Sequence, residues 1–135
     1  MHIRSLALTL AAALALTGCV GAGGPADRSY TGIPPQLQLE ALDMTDDRGP
    51  IVTWLERDRR FAVTVWGSRT CPFQAVELTD QDDQVTIELE AETGEACLAD
   101  LAPSTSEFTR DDSSSGPLTV KLVGLPTGEI DLELE

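Results

Sequence analysis

Residues 85–90, Val-Thr-Ile-Glu-Leu-Glu, alternate apolar and polar side chains without interruption. A period of two residues places Val85, Ile87 and Leu89 on one face of a β-strand and the polar side chains on the other. A strand of this kind buries one face in a core and leaves the other in water, as antiparallel sheets do. Residues 85–90 therefore predict a half-buried strand of a β-domain.

The same pattern recurs on both sides of this segment. Further candidate strands are residues 37–42, 51–55, 61–66, 75–79, 118–122 and 130–134, of which 61–66 is apolar enough to be buried on both faces. Turn-forming residues separate the candidates at 56–59, 80–83, 111–117 and 126–128. About seven short strands and no long amphipathic helix predict an all-β fold, a small antiparallel sandwich or barrel.

Residues 1–18 have the three parts of a secretion signal. Arg4 precedes an apolar run at residues 6–16, and two small residues follow the run. As a helix, this run extends only about 16 Å, which is too short to cross the hydrocarbon core of a bilayer. We expect residues 1–18 to direct export and then to be removed.

The next residue is a cysteine, and Leu16-Thr17-Gly18-Cys19 resembles the bacterial lipobox. The resemblance implies cleavage before Cys19 and a diacylglyceryl group on its sulfur, which would anchor the protein to the outer face of the cell membrane. An ordinary secretion signal that contains a cysteine is the alternative. Residues 19–36, rich in Gly, Ala and Pro, then predict a flexible tether, and residues 37–135 the β-domain.

The composition argues against several functions. The chain has 9 Lys+Arg against 23 Asp+Glu and a formal net charge of −14, which disfavours nucleic acid as a partner. The only histidine, His2, lies in the predicted signal, so the mature chain lacks the imidazole that His-dependent catalysis and zinc or copper sites use. No nucleotide-binding or nucleophile motif occurs. We therefore expect a protein that is not an enzyme and has no cofactor or metal, and a weak hydrolase that uses two carboxylates is the remaining enzymatic alternative.

Two cysteines remain once the lipid occupies Cys19. In an oxidising compartment Cys71 and Cys97 predict a disulfide, which would staple a domain with few aromatic residues. A reactive or metal-binding pair is the alternative. The lack of a mature histidine and of a Cys-x-x-Cys spacing disfavours it.

The loop after the apolar strand is the best candidate for a binding surface. Trp66 offers a stacking plane and Arg69 a fork of donors, and Trp54 would belong to the same surface if the fold brings it near. The favoured alternative is that Trp66 packs beside the disulfide at Cys71. Asp100 has two candidate roles, the favoured one being to accept hydrogen bonds from loop N–H groups and the other to bind a ligand.

Two charged segments have a binding alternative as well. Asp80-Gln81-Asp82-Asp83 resembles the start of a calcium loop, but Val85 stands where such a loop needs glycine, so a hairpin turn is favoured. Arg57, Arg59 and Arg60 would suit an anion, and pairing with nearby acids on the surface is favoured.

Two further segments carry a family resemblance. Trp66-Gly67-Ser68-x-x-Cys71-Pro72 and Cys97-Leu98-Ala99-Asp100-Leu101-Ala102-Pro103 resemble the GSxxCP and CxADLAP segments of small exported lipoproteins of high-GC Gram-positive bacteria. The resemblance supports the pairing of the two cysteines and implies no catalytic residue. We expect a monomeric, lipid-anchored interaction or structural module whose partner is a protein or glycan of the cell envelope. The alternative is a lipoprotein that binds a small molecule or ion near a membrane transporter.

Overall fold

The computed structural model describes residues 24–37, 49–94, 96–110 and 115–135. Within these ranges eight strands and one short 3₁₀ turn, Pro35–Leu37, form two sheets packed together. The strands are β1 Arg28–Thr31, β2 Ile51–Glu56, β3 Arg60–Gly67, β4 Phe73–Gln81, β5 Gln84–Ala91, β6 Ala102–Thr109, β7 Leu118–Val123 and β8 Ile130–Leu134. The predicted all-β sandwich is confirmed, and the barrel alternative is not what forms.

Each sheet has four strands. Sheet A has the order β1-β6-β3-β2 and sheet B the order β4-β5-β7-β8. Every pairing is antiparallel, as predicted, except that of β5 with β7, which is parallel. Parallel neighbours need a crossover connection. Here the crossover passes through sheet A, because the chain forms β6 there before it returns to place β7 beside β5.

The core lies between the two sheets and follows the alternation in the sequence. Val85, Ile87 and Leu89 of β5 are buried, while Glu88 and Glu90 are exposed. The apolar side chains of β3, β6 and β7 complete the core, and their burial supplies the main driving force for folding. These residues are Phe61, Val63, Val65, Phe108, Leu118, Val120 and Leu122.

The predicted tether at residues 19–36 is too long. Residues Arg28–Thr31 pair with β6, Ala26 packs against the core, and Pro34 is fully buried. The segment rich in Gly and Pro still forms a strand, because an edge strand is short and forms hydrogen bonds with a neighbour on one side only. Leu37, predicted to begin a strand, is buried in the 3₁₀ turn. Residues 38–42 and Cys19 lie outside the described residues.

Strand β6 was not predicted, because its side chains are mostly polar. Thr105 and Thr64 are nevertheless buried, with their hydroxyl oxygens 2.8 Å apart. The Thr105 hydroxyl also lies 2.7 Å from the carbonyl oxygen of Gly32. A carbonyl only accepts, so Thr105 donates to Gly32 and Thr64 donates to Thr105. Hydrogen bonds therefore compensate for the burial of these polar groups.

Candidate functional site

The two ends of the sandwich differ in chemistry. One, the disulfide end, is formed by the β3–β4 loop at residues 68–72, the β5–β6 loop at 92–101 and the β7–β8 loop at 124–129. The other, the charged end, carries the β2–β3 and β4–β5 turns and Arg110. Residue 95 is the one position of the β5–β6 loop outside the described residues. Three of the four predicted binding residues, Trp66, Arg69 and Asp100, lie at the disulfide end.

The β3–β4 and β5–β6 loops are joined at several points. The predicted disulfide between Cys71 and Cys97 is confirmed, with Cα atoms 5.3 Å apart. Beside it, the Thr70 hydroxyl donates to the carbonyl oxygen of Ala96 and accepts the N–H of Leu98, each at 2.9 Å. The Thr70 hydroxyl thus makes the two hydrogen bonds to the β5–β6 loop that a backbone N–H and C=O would make between paired strands.

Asp100 adds a third connection. Its carboxylate accepts the backbone N–H of Arg69 at 3.0 Å and lies 3.4 Å from the Arg69 Nε. The favoured local role of Asp100 is therefore confirmed, and its partner is in the neighbouring loop. Because both side chains reach solvent, the ion pair itself contributes little stability. Its effect is to fix how the two loops sit against each other.

These fixed loops expose two leucines that were not predicted as binding residues. Leu98 is 54% exposed and Leu101 is 51% exposed, and both lie in the β5–β6 loop. Among the described residues only Val76 is a comparably exposed large apolar side chain, and it lies on β4. The sequence signal that could have identified them is a pair of leucines close to Cys97 in a segment without the alternation of a strand. Neither leucine belongs to the core cluster or packs against it.

Trp66 takes part in an apolar concavity at the same end. The concavity has a volume of about 430 Å³ and opens to solvent. Trp66 is half-buried in its wall, so the interpretation of Trp66 as a purely packed side chain is incomplete. The lining residues are Gly49, Pro50, Val65, Trp66, Phe73, Leu125, Pro126, Thr127 and Ile130. Arg69 and Asp100 are not among them.

Trp54 lies away from the disulfide end, so the prediction that it shares a binding surface with Trp66 and Arg69 was wrong. It pairs with Phe61 near the start of β3, whereas Trp66 lies near the end of that strand. The Trp54 and Phe61 rings meet edge to face with centroids 6.3 Å apart, which places Trp54 against the core. Its Nε1 is buried without an acceptor among the described residues.

The charged end is organised by Arg110. Its guanidinium side chain is 3% exposed and binds both carboxylate oxygens of Asp80, at 2.9 and 3.2 Å. It also donates to the carbonyl oxygen of Asp82 at 2.7 Å. Residues 82–83 form the predicted hairpin turn between β4 and β5. The first carboxylate of the calcium-loop alternative is therefore held by an arginine.

Two of the three arginines near the β2–β3 turn, Arg59 and Arg60, pair with acids, as favoured. Arg59 lies 3.4 Å from Glu56, and Arg60 lies 3.3 Å from Glu107. Glu107 also accepts the hydroxyl of Tyr30. Burial, followed by the hydrogen bond and charge of Glu107, raises the pKa of Tyr30 above its ordinary value of 10.0.

Within the described ranges, no group of three or more His, Cys, Asp and Glu residues is arranged to hold a metal ion. The same ranges contain no helix with the length and apolar character of a membrane span. The chain matches no protein-family model, no curated protein and no solved structure. The resemblance to exported lipoproteins of high-GC Gram-positive bacteria therefore stays a prediction.

Proposed function

We propose that the protein is a lipid-anchored, non-enzymatic module of the cell envelope that binds a partner protein through its disulfide end. The observation that carries the proposal is the exposure of Leu98 and Leu101 on loops fixed by a disulfide, the Thr70 hydroxyl and the Arg69–Asp100 pair. A fixed loop loses little conformational freedom on binding, so its apolar contacts are available for affinity. The lipid anchor at Cys19 rests on the lipobox resemblance.

Photocrosslinking in intact cells tests the partner. A crosslinking residue in place of Leu98 is expected to capture one protein, and Leu101→Asp is expected to abolish the capture. A crosslinking residue in place of Glu88, which is exposed on β5, serves as the control. Equal capture from both positions, or capture that survives Leu101→Asp, would argue against a partner at the disulfide end.

A Cys19→Ser variant tests the anchor. We expect the wild-type protein to fractionate with membranes and to carry the added mass of a diacylglyceryl group. The variant should lose both properties while the sandwich keeps its stability. Membrane fractionation of Cys19→Ser equal to that of the wild type would contradict the anchor.

Binding of a small apolar molecule in the concavity is the second candidate function. Its volume of about 430 Å³ falls within the usual range of ligand pockets, and aromatic, Leu, Ile and Pro side chains predominate in its wall. Thermal shifts of the wild type against Trp66→Ala, measured over a panel of apolar ligands, test it. Equal ligand-induced shifts of the melting temperature in the wild type and Trp66→Ala would count against this function.

A further inference from the structure

We propose that the sandwich docks on the lipid headgroup layer through the side around Gly24 and Val76, where the chain enters the fold. This side is named the entry side and comprises residues 24–27 with the neighbouring edges of β1 and β4. The inference rests on the proposed lipid attachment at Cys19. It adds which side of the sandwich faces the membrane.

Gly24, the first residue that the structure describes, already lies against the sandwich. A Cβ atom built on Gly24 would overlap the carbonyl oxygen of Ala75 and lie 3.9 Å from the Cα of Val76, so Gly24 lies directly on the β4 backbone. Two residues later, Ala26 packs against the core. The N–H of Asp27 then donates to the carbonyl oxygen of Glu107 at 2.9 Å.

The distance from the anchor to this point is short. Only residues 20–23 separate Cys19 from Gly24. Even when this stretch is fully extended, the distance from Cys19 to Gly24 is at most about 18 Å. The headgroup layer occupies about 5–8 Å on each side of the hydrocarbon core. A lipid on Cys19 therefore holds Gly24 within roughly 10–13 Å of the outer edge of the headgroups, so the entry side stays close to the membrane.

The entry side has features that suit such a surface. Val76 is the extra residue of a bulge in β4, next to Gly24, and is 45% exposed. An apolar side chain there can insert between headgroups. Strands β1 and β4 are the edges of their sheets, so their free N–H groups can donate to lipid phosphates. Arg28, exposed on β1, adds a cation.

Charge alone would not bring this side to the membrane. Asp27 and Glu77 are exposed on or beside it, and the chain as a whole is strongly acidic. Anionic headgroups repel such a surface. The short covalent connection and the apolar contact of Val76 are therefore what hold the entry side in place. Docking should be at least as strong on neutral phosphatidylcholine as on anionic phosphatidylglycerol.

Hydrogen–deuterium exchange of the full, lipidated protein in phosphatidylcholine vesicles tests the proposal, with soluble Cys19→Ser as the reference. Residues 24–31 and 73–78 should exchange more slowly on vesicles, on the order of threefold, because edge amides lose access to water. Residues 124–129 of the β7–β8 loop should be unchanged. A Gly-Ser insertion of about twelve residues before Gly24 should restore fast exchange, since it adds roughly 20 Å of reach.

Two substitutions refine the test. Val76→Asp should reduce the protection of residues 73–78, and Leu98→Asp at the disulfide end should leave it unchanged. If the lipidated, vesicle-bound protein exchanges like Cys19→Ser, docking is overturned while the anchor stands. Protection that persists in the insertion variant would instead come from another occupant, such as a second copy, and also overturns the proposal. Absence of the lipid mass would overturn the anchor and the docking together.

Discussion

Thr105 is the centre of a buried chain of hydroxyl groups on sheet A. It receives the hydroxyl proton of Thr64 and gives its own to the carbonyl oxygen of Gly32, which follows β1. The chain thus links β3, β6 and the segment after β1 through side chains. Removing the central hydroxyl takes a partner from the Gly32 carbonyl, the Thr64 hydroxyl and Tyr30, whereas removing the terminal one leaves a single acceptor unused.

We predict that Thr105→Val lowers the free energy of unfolding by about 2 kcal/mol, because a partly buried carbonyl and a buried hydroxyl lose their partner. Thr64→Val should cost only about 1 kcal/mol, since valine keeps the shape and Thr105 keeps its acceptor. Urea denaturation measures both. Thr119→Val, which removes an exposed hydrogen bond to Glu133, is the control and should change little. Equal losses for the two buried variants would contradict the direction of donation.

Tyr30 provides a prediction about pH. The folded protein holds the Tyr30 proton more tightly than the unfolded chain does, because burial and then Glu107 raise its pKa above 10.0. The resulting stability is fully present below pH 10 and is lost as the pH rises through the folded pKa. As the only tyrosine, its absorbance reports this pKa directly. Tyr30→Phe should flatten the decline in the free energy of unfolding above pH 10, and an unchanged decline would contradict the assignment.

Single residues were predictable where their chemistry is local. The pairing of Cys71 with Cys97 followed from the count of cysteines, and the bonding of Asp100 to loop N–H groups followed from the habits of aspartate. Trp54 was misplaced for an avoidable reason. The short β2–β3 hairpin pairs Trp54 with Phe61. Phe61 precedes Trp66 by five residues, so the two side chains lie on opposite faces of β3, and Trp54 shares the face of Phe61.

At the scale of the element, strands with alternating apolar residues were predictable and strands with polar interiors were not. β5 and β7 carry their core residues in an unbroken pattern of two. β6 buries Thr105, Ser106 and Glu107, so its pattern resembles that of a loop. The parallel pairing of β5 with β7 was also out of reach. Periodicity indicates which face is buried, but it does not identify the neighbouring strand.

The β7–β8 connection contains two glycines that allow a matched test. Both have positive φ angles, +92° at Gly124 and +96° at Gly128. A Cβ on Gly124 would also overlap the carbonyl oxygen of Leu89, whereas a Cβ on Gly128 would meet open space. We predict a loss of about 1 kcal/mol for Gly128→Ala, from backbone strain alone. Gly124→Ala should lose about 3 kcal/mol, because β7 must also shift away from β5. Equal thermal denaturation curves for the two variants would contradict this close approach.

At the scale of the whole molecule, the sandwich is held together at both ends. The disulfide joins the β3–β4 and β5–β6 loops, which are two of the connections between the sheets. At the charged end Arg110, just after β6, binds Asp80 of β4 and so connects sheet A to sheet B. Each link resists separation of the sheets at one end.

We predict that the two links act independently. Replacing Cys71 and Cys97 with Ala should cost about 3.5 kcal/mol by the loop-entropy model. Arg110→Met should cost about 2 kcal/mol, less than for a fully buried pair because Asp80 reaches solvent. Their sum should hold within about 0.5 kcal/mol in the combined variant, because the sites are far apart. Urea denaturation measures this, with Arg59→Met as the exposed-pair control. A combined loss well below the sum would show that the ends are coupled.

The route of the chain between β5 and β7 also constrains the order of assembly. The β4–β5 hairpin precedes β6 and β7 in the chain, and one edge of β5 has no neighbour until β6 has joined the opposite sheet and residues 118–123 have followed. Until then, β5 has an unpaired backbone edge and an apolar face at Val85, Ile87 and Leu89, and it can pair with the same segment of another chain. A fragment that ends before residue 118 would therefore be prone to self-association.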